Sequence, residues 1–457
     1  MFPCEDFYIG RLAPRHPARH APRLAPRLAD RPAAAPNPSL MIPRISSETA
    51  RLQAVVVHTP GREVSLVDPA IREELLFDDI IYEDDARNEH LDMLSLFRTG
   101  MPADGAILEI VDLFKESLAT LEQRERFTER LVRSLPELNL HPVRDTLSKL
   151  PADGLAEFVV AGRTAAAGGF TLPPLPNLLF TRDLAAVVGN RLILSSMSRP
   201  ARKRESLIME HIALTHPLFE PLRDRIVRIP DGQSVEGGDV LVASDNTLLV
   251  GMSERTTFGG LLSLADALLG DPVERIIAVD IPKRRSTMHL DTIFTFVDEG
   301  ECVVFSPVIE DTARNVVMLE RAQDGIRARL MNGLKTALEH ATGRSFRFIP
   351  CGGDDLTDQY REQWTDGANL FALAPGVVVG YERNHHTFNA MSERGYEILD
   401  QFEFTRRHPP GTFDPERSGK MAVTFKGQEL CRGRGGARCM TLPLLRTETP
   451  FQETPNP

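Results

Sequence analysis

Residues 246–282 read NTLLVGMSERTTFGGLLSLADALLGDPVERIIAVDIP, and this stretch sets the fold class. The short apolar runs NTLLVGM and RIIAVDIP have the length and the Leu, Ile and Val content of buried strands. Between them, FGGLLSLADALL spaces its apolar residues at three and four, the period of a helix. The same alternation continues on both sides. NRLILSSM, TIFTFVD, CVVFSP, FRFIP and VVVGYERN read as strands, and RESLIMEHIALTH and IRARLMNGLKTALEHATG as helices. Upstream, LQAVVVHTPG is a buried strand ending in a Pro-Gly turn. Residues from about 70 to 155 read as an inserted helical region, with REELLFDDIIYEDDARNEHLDMLSLF and ADGAILEIVDLFKESLATLEQRERFTERLVRSL as its helices. Strand–helix alternation at this spacing gives an α/β or α+β fold with one helical insertion. Strand-turn-helix units recur, although no residue-level repeat does.

The first 46 residues differ from the rest. Arginine recurs every fourth position from Arg11 to Arg31, but Pro14, Pro17, Pro22, Pro26 and Pro32 forbid a continuous helix. No apolar signal segment is present, so this Arg/Pro/Ala-rich part is expected to be a disordered extension, upstream of a start at Met41. The folded domain is expected from residue 47 to 457. A net charge of -11 argues against nucleic-acid binding as the main task and fits a cationic small substrate. The five cysteines (Cys4, Cys302, Cys351, Cys431 and Cys439) form no CxxC pair and no zinc-like cluster with histidine. No metal site and no disulfide framework are expected, which suits a reducing, cytoplasmic compartment. Nothing in the sequence is long and apolar enough to suggest a membrane span.

Four motifs put ionisable residues on turns beside buried strands. They are NLLFTRD (177–183), VEGGD (235–239), MHLDT (288–292) and RGRGGARCM (432–440). Singly, each has an ordinary reading. An Asp ending a strand caps a turn, a Gly-Gly pair supplies positive φ, a lone His is structural, and a Cys beside Met and Leu is core. Together, Asp183, Glu236 and Asp291 with His289 and Cys439 supply a nucleophile, a proton shuttle and a cage for a cation. His289 and Asp291 are two apart, so in a strand both would face one substrate.

In this order, FTRD, EGGD, HLDT and RGRGG-x-RCM closely resemble the arginine deiminases of the guanidine-modifying (pentein) superfamily. ELLFDDI, GMSERT and REQWTDGANLFALAPGVVVGYERN extend the resemblance over about residues 47–446. It implies a pentein α/β propeller of about five ββαβ units with pseudo-fivefold symmetry and an inserted helical bundle. It implies hydrolysis of L-arginine to L-citrulline and ammonia with no metal or organic cofactor, no nucleic-acid or membrane partner, and leaves a homo-oligomer open. By match of motif, Cys439 is the nucleophile, His289 the general acid/base, and Asp183, Glu236 and Asp291 the substrate-holding carboxylates. Arg202 and Arg255 match residues that hold the substrate carboxylate. Asn177 and Phe180 match residues packing along the substrate, and Arg434 matches a mobile arginine.

The chemistry agrees with these assignments. A planar guanidinium offers donors that carboxylates grip in pairs, here Asp183 and Asp291. That grip holds the central carbon against Cys439 sulfur. Three nearby carboxylates are expected to raise the Cys439 pKa until a cationic substrate offsets them. The glycines of RGRGGARCM are expected to let a loop bend over the pocket, as a gate with Arg434 at its rim.

The segment RRHPPGTFDPERSGKMAVTFKGQELC (406–431) is longer than the compact link expected in the family, and is expected to form a surface hairpin or lid. His385 and His386, if in a strand, face opposite ways and do not bind metal together. Cys302 reads as core and Cys351 as structural. Three competing readings remain at this stage: an amidinotransferase with the same residue set, a catalytically silent arginine-binding protein, and an RNA-binding protein built on the RGG-like loop.

Overall fold

The computed structural model describes residues 41–135, 140–167, 169–311 and 316–448. The expected disordered extension, apart from residues 41–46, lies outside the described residues. Among the described residues, five sheets make up a mixed α/β architecture, and one pairing pattern recurs in each.

β1 (Leu52–Val57) runs parallel to β2 (Ala106–Glu109), with Ala54 opposite Ala106 and Val57 opposite Glu109. Next, β3 (Ala185–Val188) and β4 (Arg191–Leu194) form an antiparallel pair, and the helix Lys203–Thr215 leads to β5 (Ile226–Arg228), parallel to β4. β6 (Val240–Ser244) and β7 (Thr247–Met252) repeat the arrangement, with the helix Phe258–Leu268 leading to β8 (Arg275–Asp280), parallel to β7. β9 (Phe294–Asp298) and β10 (Glu301–Val304) then pair antiparallel. The chain next leaves to form a hairpin, β11 (Val316–Ala322) and β12 (Gly325–Met331), which extends the sheet of β8. It returns through the helix Leu334–Thr342 to β13 (Arg347–Pro350), parallel to β10. β14 (Phe371–Ala374) and β15 (Val377–Tyr381) are antiparallel. After β16 (Glu397–Asp400), β17 (Met421–Phe425) inserts parallel between β15 and β16. Finally β18 (Leu442–Arg446) lies antiparallel to β1, so the last strand completes the first sheet.

The burial pattern explains why the inner strands β1, β7, β10 and β15 are largely apolar. Strands covered on both faces have no solvent side to mark with polar residues. β1 sends Ala54 and Val56 into one core, and Leu52, Val55 and Val57 into a second. β7 divides the first core from a third, β10 the third from a fourth, and β15 the fourth from the second.

Several expectations are corrected here. Residues 69–76 form turns rather than a helix, and the first long helix of that region is Glu83–Gly100. Within the expected helix ADGAILEIVDLF, AILE is the strand β2, because the open edge of β1 takes up its backbone groups. The helical region does not pack as one unit. Glu83–Gly100 packs in the second core, while Ile110–Ser117, Leu121–Ser134 and Ala152–Ala161 pack in the first with Lys203–Thr215. IRARLM is strand β12, and the helix starts only after Gly333, whose φ of 84° breaks the run. The expected hairpin or lid at 406–431 contains β17, which is buried along its whole length. His385 and His386 open a helix, His385–Ser392, and do not lie in a strand.

Candidate active site

Each sheet contributes one residue from the turn just before the first strand of its antiparallel pair. Asp183 precedes β3, Glu236 precedes β6, Asp291 precedes β9, Asn369 precedes β14 and Cys439 precedes β18. The second strand of each pair returns the chain to the same end, where the following turns add Arg202 after β4 and Arg255 after β7. This shared position explains how residues more than 250 apart in the chain meet in one cavity.

Eight of the residues expected from the sequence line that cavity: Asn177, Phe180, Asp183, Arg202, Arg255, His289, Arg434 and Cys439. Glu236 and Asp291 lie behind the lining and act on it through hydrogen bonds. His289 Nε2 stands 2.8 Å from Glu236 Oε2, and Nδ1 stands 3.5 Å from Asp183 Oδ1. Burial pulls the imidazole pKa down, but Asp183, the bond to Glu236 and Asp239 outweigh it and hold His289 at about 9. Glu236, buried with His289, Arg255 and Arg202 around it, is held at about 2 despite its desolvation. The resting pair is therefore imidazolium and carboxylate. The ligand atoms of Asp183, Glu236 and His289 lie within 4.8 Å of one another. The 2.8 Å contact between His289 and Glu236 is a hydrogen-bond distance.

His289 and Asp291 do not share a strand face. His289 caps the short 3-10 turn Leu290–Thr292, and Asp291 lies within it. The turn aims His289 at Glu236 and sends Asp291 towards Cys439 and Arg438. Cys439 Sγ is 3.8 and 4.0 Å from the Asp291 oxygens, and Arg438 Nη1 donates to Asp291 Oδ2 at 2.8 Å. Asn369 fixes this junction. Its Oδ1 accepts from Cys439 N at 3.0 Å and its Nδ2 donates to Asp291 O at 2.9 Å.

The thiol is buried, and its pKa is pushed well above the usual range. Burial is the leading cause, followed by Asp291, Asp183 and Asp366, with Arg438 opposing. The sequence names Glu236 in this role, and that expectation is corrected. Glu236 is matched by His289, Arg202 and Arg255, and Asp366 supplies the third carboxylate. Cys351, in contrast, is a buried thiol that accepts from Thr387 Oγ1 and is pushed to about 12 by desolvation.

The EGGD glycines are needed for close approach, and neither has a positive φ. A Cβ on Gly238 would lie 2.7 Å from the His289 ring and 3.0 Å from Asp183 Oδ1. In the loop before Cys439 the same holds for Gly435, whose Cβ would meet Phe180 at 2.4 Å. The residue in the left-handed region is Arg434, at φ 66°. Its side chain is buried rather than at a solvent rim, and the guanidinium stacks 3.6 Å above the Trp364 ring.

The arginines differ in how much of their donor capacity is used. Arg202 is committed, with bonds to Asp183 at 2.5 Å, Glu205 at 2.9 Å and the Asn177 carbonyl at 3.2 Å. Arg255 Nε and all three Arg434 nitrogens are buried without a hydrogen-bond partner among the described residues, as is the acceptor Asp183 Oδ1. The cavity thus offers an acceptor without a hydrogen bond, Asp183 Oδ1, whose neighbour is His289 Nδ1 at 3.5 Å, and unused donors elsewhere in its lining. That pattern suits a molecule with a cationic head and an anionic tail. Asn177 uses its own amide to hold the Leu75 carbonyl at 2.6 Å, so it braces the wall.

Sequence reasoning missed Arg285, which lines the cavity and ties it to Leu76 and Asp78 at 2.8 and 3.2 Å. The basic run KRR just before MHLDT was its signal. Asn369 and Trp364 lay in the noted block REQWTDGANLF, without a motif of their own.

The family model for arginine deiminase matches residues 146–446. The arginine deiminase of Listeria monocytogenes serotype 4a is 32% identical over 428 residues, 88% of this chain and 97% of that protein. The chain belongs to the arginine deiminase family. Another relative, the arginine deiminase of Bacillus cereus, is 33% identical over 436 residues, 88% of this chain and 98% of that one. Among solved structures, a mutant of DDAH from Pseudomonas aeruginosa complexed with citrulline aligns with a TM-score of 0.47 at 13% identity, covering 86% of this chain and 99% of that one. The product-bound N-terminal domain of ArgZ, an arginine dihydrolase of cyanobacteria, aligns at 0.39 and 15%, covering 59% and 76%. Family membership thus joins a cavity in which a buried thiol, an imidazolium and three carboxylates are within reach of one another.

Proposed function

We propose that this chain is an arginine deiminase that hydrolyses L-arginine to L-citrulline and ammonia through a covalent adduct on Cys439. The observation that carries the reading is the pairing, in one cavity, of a neutral buried thiol with a histidine held as imidazolium. The substrate guanidinium is gripped at the unused Asp183 Oδ1 and at Asp291, while its α-carboxylate takes the free donors of Arg255 and Arg434. Arg202 serves by fixing Asp183 and the Asn177–Phe180 turn, and Phe180 packs along the substrate.

The bound cation offsets the carboxylates that disfavour a thiolate. The thiol proton passes to Asp291, the nearest base at 3.8 Å, and sulfur attacks the guanidinium carbon. His289 then protonates the departing nitrogen, the C–N bond breaks and ammonia leaves. Now neutral, His289 takes a proton from water, whose oxygen attacks the S-alkylthiouronium carbon. The adduct's hydroxyl proton passes to solvent, the C–S bond breaks with its electron pair on sulfur, Asp291 returns its proton to the thiolate, and citrulline is released. Glu236 holds the imidazole in line through both proton transfers.

The same reading takes residues 47–457 as one catalytic domain with a helical insertion at about 70–155, acting in the cytoplasm without a cofactor. It takes the five sheets as ββαβ units around a pseudo-fivefold axis. Supporting that arrangement are the recurring strand pairing and the way four of the sheets divide neighbouring cores in a closed circuit. The test is citrulline and ammonia release from L-arginine by the wild type and by Cys439→Ala. Equal amounts of both products from the wild type, and neither from the variant, are expected. Transfer of the amidino group to an added amine would instead indicate an amidinotransferase.

A further inference from the structure

Behind the turn that carries Cys439 lies a second polar cluster. Arg438 spends its guanidinium on Glu48 at 3.0 and 3.2 Å, on Asp291 at 2.8 Å and on the Val240 carbonyl at 3.0 Å. Two further buried arginines, Arg182 and Arg446, face the same region and line a small cavity with Glu48, Val187 and Val242. Their use is incomplete. Arg182 Nε reaches only the Arg438 carbonyl at 3.4 Å, and Arg446 Nη1 reaches the Ala50 carbonyl at 2.5 Å. Arg182 Nη2 and Arg446 Nε and Nη2 are buried and donate to nothing among the described residues.

The charges do not balance either. Three guanidiniums face two carboxylates, Glu48 and Asp291, and Arg438 already binds both. A buried unpaired charge is destabilising, and unsatisfied buried donors add to that cost. Burial and the neighbouring guanidiniums pull Arg182 down to about 9, and burial with Arg438 pulls Arg446 to about 10.

We infer that Arg182 and Arg446 form a binding site for one small monovalent anion of chloride size, in the core behind the nucleophile turn. A single negative charge balances the surplus guanidinium, and one compact acceptor satisfies donors from both side chains. The walls contributed by Ile45, Ala186, Val187 and Val242 suit a weakly hydrated halide better than a polyvalent anion. The anion completes the charge pairing around Arg438, and Arg438 in turn holds Asp291 beside Cys439.

The direct test is crystallisation of the full chain from sodium bromide, with diffraction data at the bromine edge. An anomalous peak within hydrogen-bond distance of Arg182 Nη2 and Arg446 Nη2 is expected. Ordinary water density at that place, with no anomalous signal, overturns the site. In solution, melting is measured in sodium chloride against sodium gluconate at constant ionic strength. Once chloride exceeds its dissociation constant, Tm should rise by about 1.5 °C per tenfold increase in concentration. Arg182→Met should abolish that dependence, and a dependence surviving in the variant contradicts the assignment. If Arg182→Met does not fold, the bromide data decide alone.

Discussion

Arg438 and Cys439 are neighbours in the chain but serve opposite sides of one turn. Cys439 faces a cavity in which one carboxylate oxygen, Asp183 Oδ1, accepts no hydrogen bond. Arg438 faces a cluster whose unused groups are guanidinium donors of Arg182 and Arg446. Asp291 touches both sides, at 2.8 Å from Arg438 and 3.8 Å from the sulfur. The contrast shows how one strand entry sorts charge. The side that must receive a cation keeps an acceptor free, and the side that anchors the turn is over-supplied with donors. Because Asp291 joins them, the anchor sets the position of the carboxylate nearest the nucleophile.

The largest effect expected on the reactive side is from His289→Ala. Without the proton donor for the leaving nitrogen, kcat should fall by about 10²–10⁴-fold while KM changes little. Steady-state citrulline assays check this, and a fall in affinity with kcat preserved would count against the assigned role. Gly238→Ala tests the packing behind that histidine. A methyl group 2.7 Å from the ring must push it away from Glu236, and about a 10²-fold loss of kcat/KM is expected. The protein should remain folded by circular dichroism.

A smaller effect, with a defined direction, concerns pH. His289 has a folded-state pKa of about 9 against an ordinary 6.5. The stability it contributes is fully present below about pH 6.5 and is lost as pH rises through about 9. The rate should fall over the same alkaline limb, as the imidazolium is lost. Glu236→Gln removes one of the interactions that raise this pKa, so the limb should move to lower pH. A limb that stays in place would assign it to another group. The smallest effect expected is from Trp364→Ala. Arg434 loses its stacking partner, worth about 0.5–2 kcal/mol, and KM for arginine should rise by about 2–30-fold with kcat nearly constant.

The parts of this comparison that could be read from sequence are those written into single motifs. FTRD, EGGD, HLDT and RGRGG-x-RCM each lie on the turn before the first strand of a sheet pair, so motif order alone names Asp183, Glu236, His289, Asp291 and Cys439. The arginine side was not legible. Glu48 and Arg438 are 390 positions apart, and only the closure of β18 onto β1 brings them together. Strands β2 and β12, expected as helix, were misread for a related reason. GIRARLM carries charges at a spacing that suits a helix as well as an edge strand, and only its partner β11 decides. AILE becomes a strand because the edge of β1 is open to it. The geometry of HLDT was missed because strand and 3-10 turn place residues two apart differently, and that difference separates the His289 and Asp291 environments. Gly238 and Gly435 supply steric clearance for His289 and Phe180, and neither has a positive φ.

The central claim is that Cys439 carries the amidino carbon of arginine during turnover. Mixing the enzyme with L-arginine, quenching in acid within a turnover and sequencing the peptides by mass spectrometry tests it. The predicted result is an adduct on Cys439 with the mass of arginine less ammonia, appearing and decaying as citrulline forms. Citrulline formation at the wild-type rate by Cys439→Ala, with no adduct on Cys439 in the wild type, would contradict it.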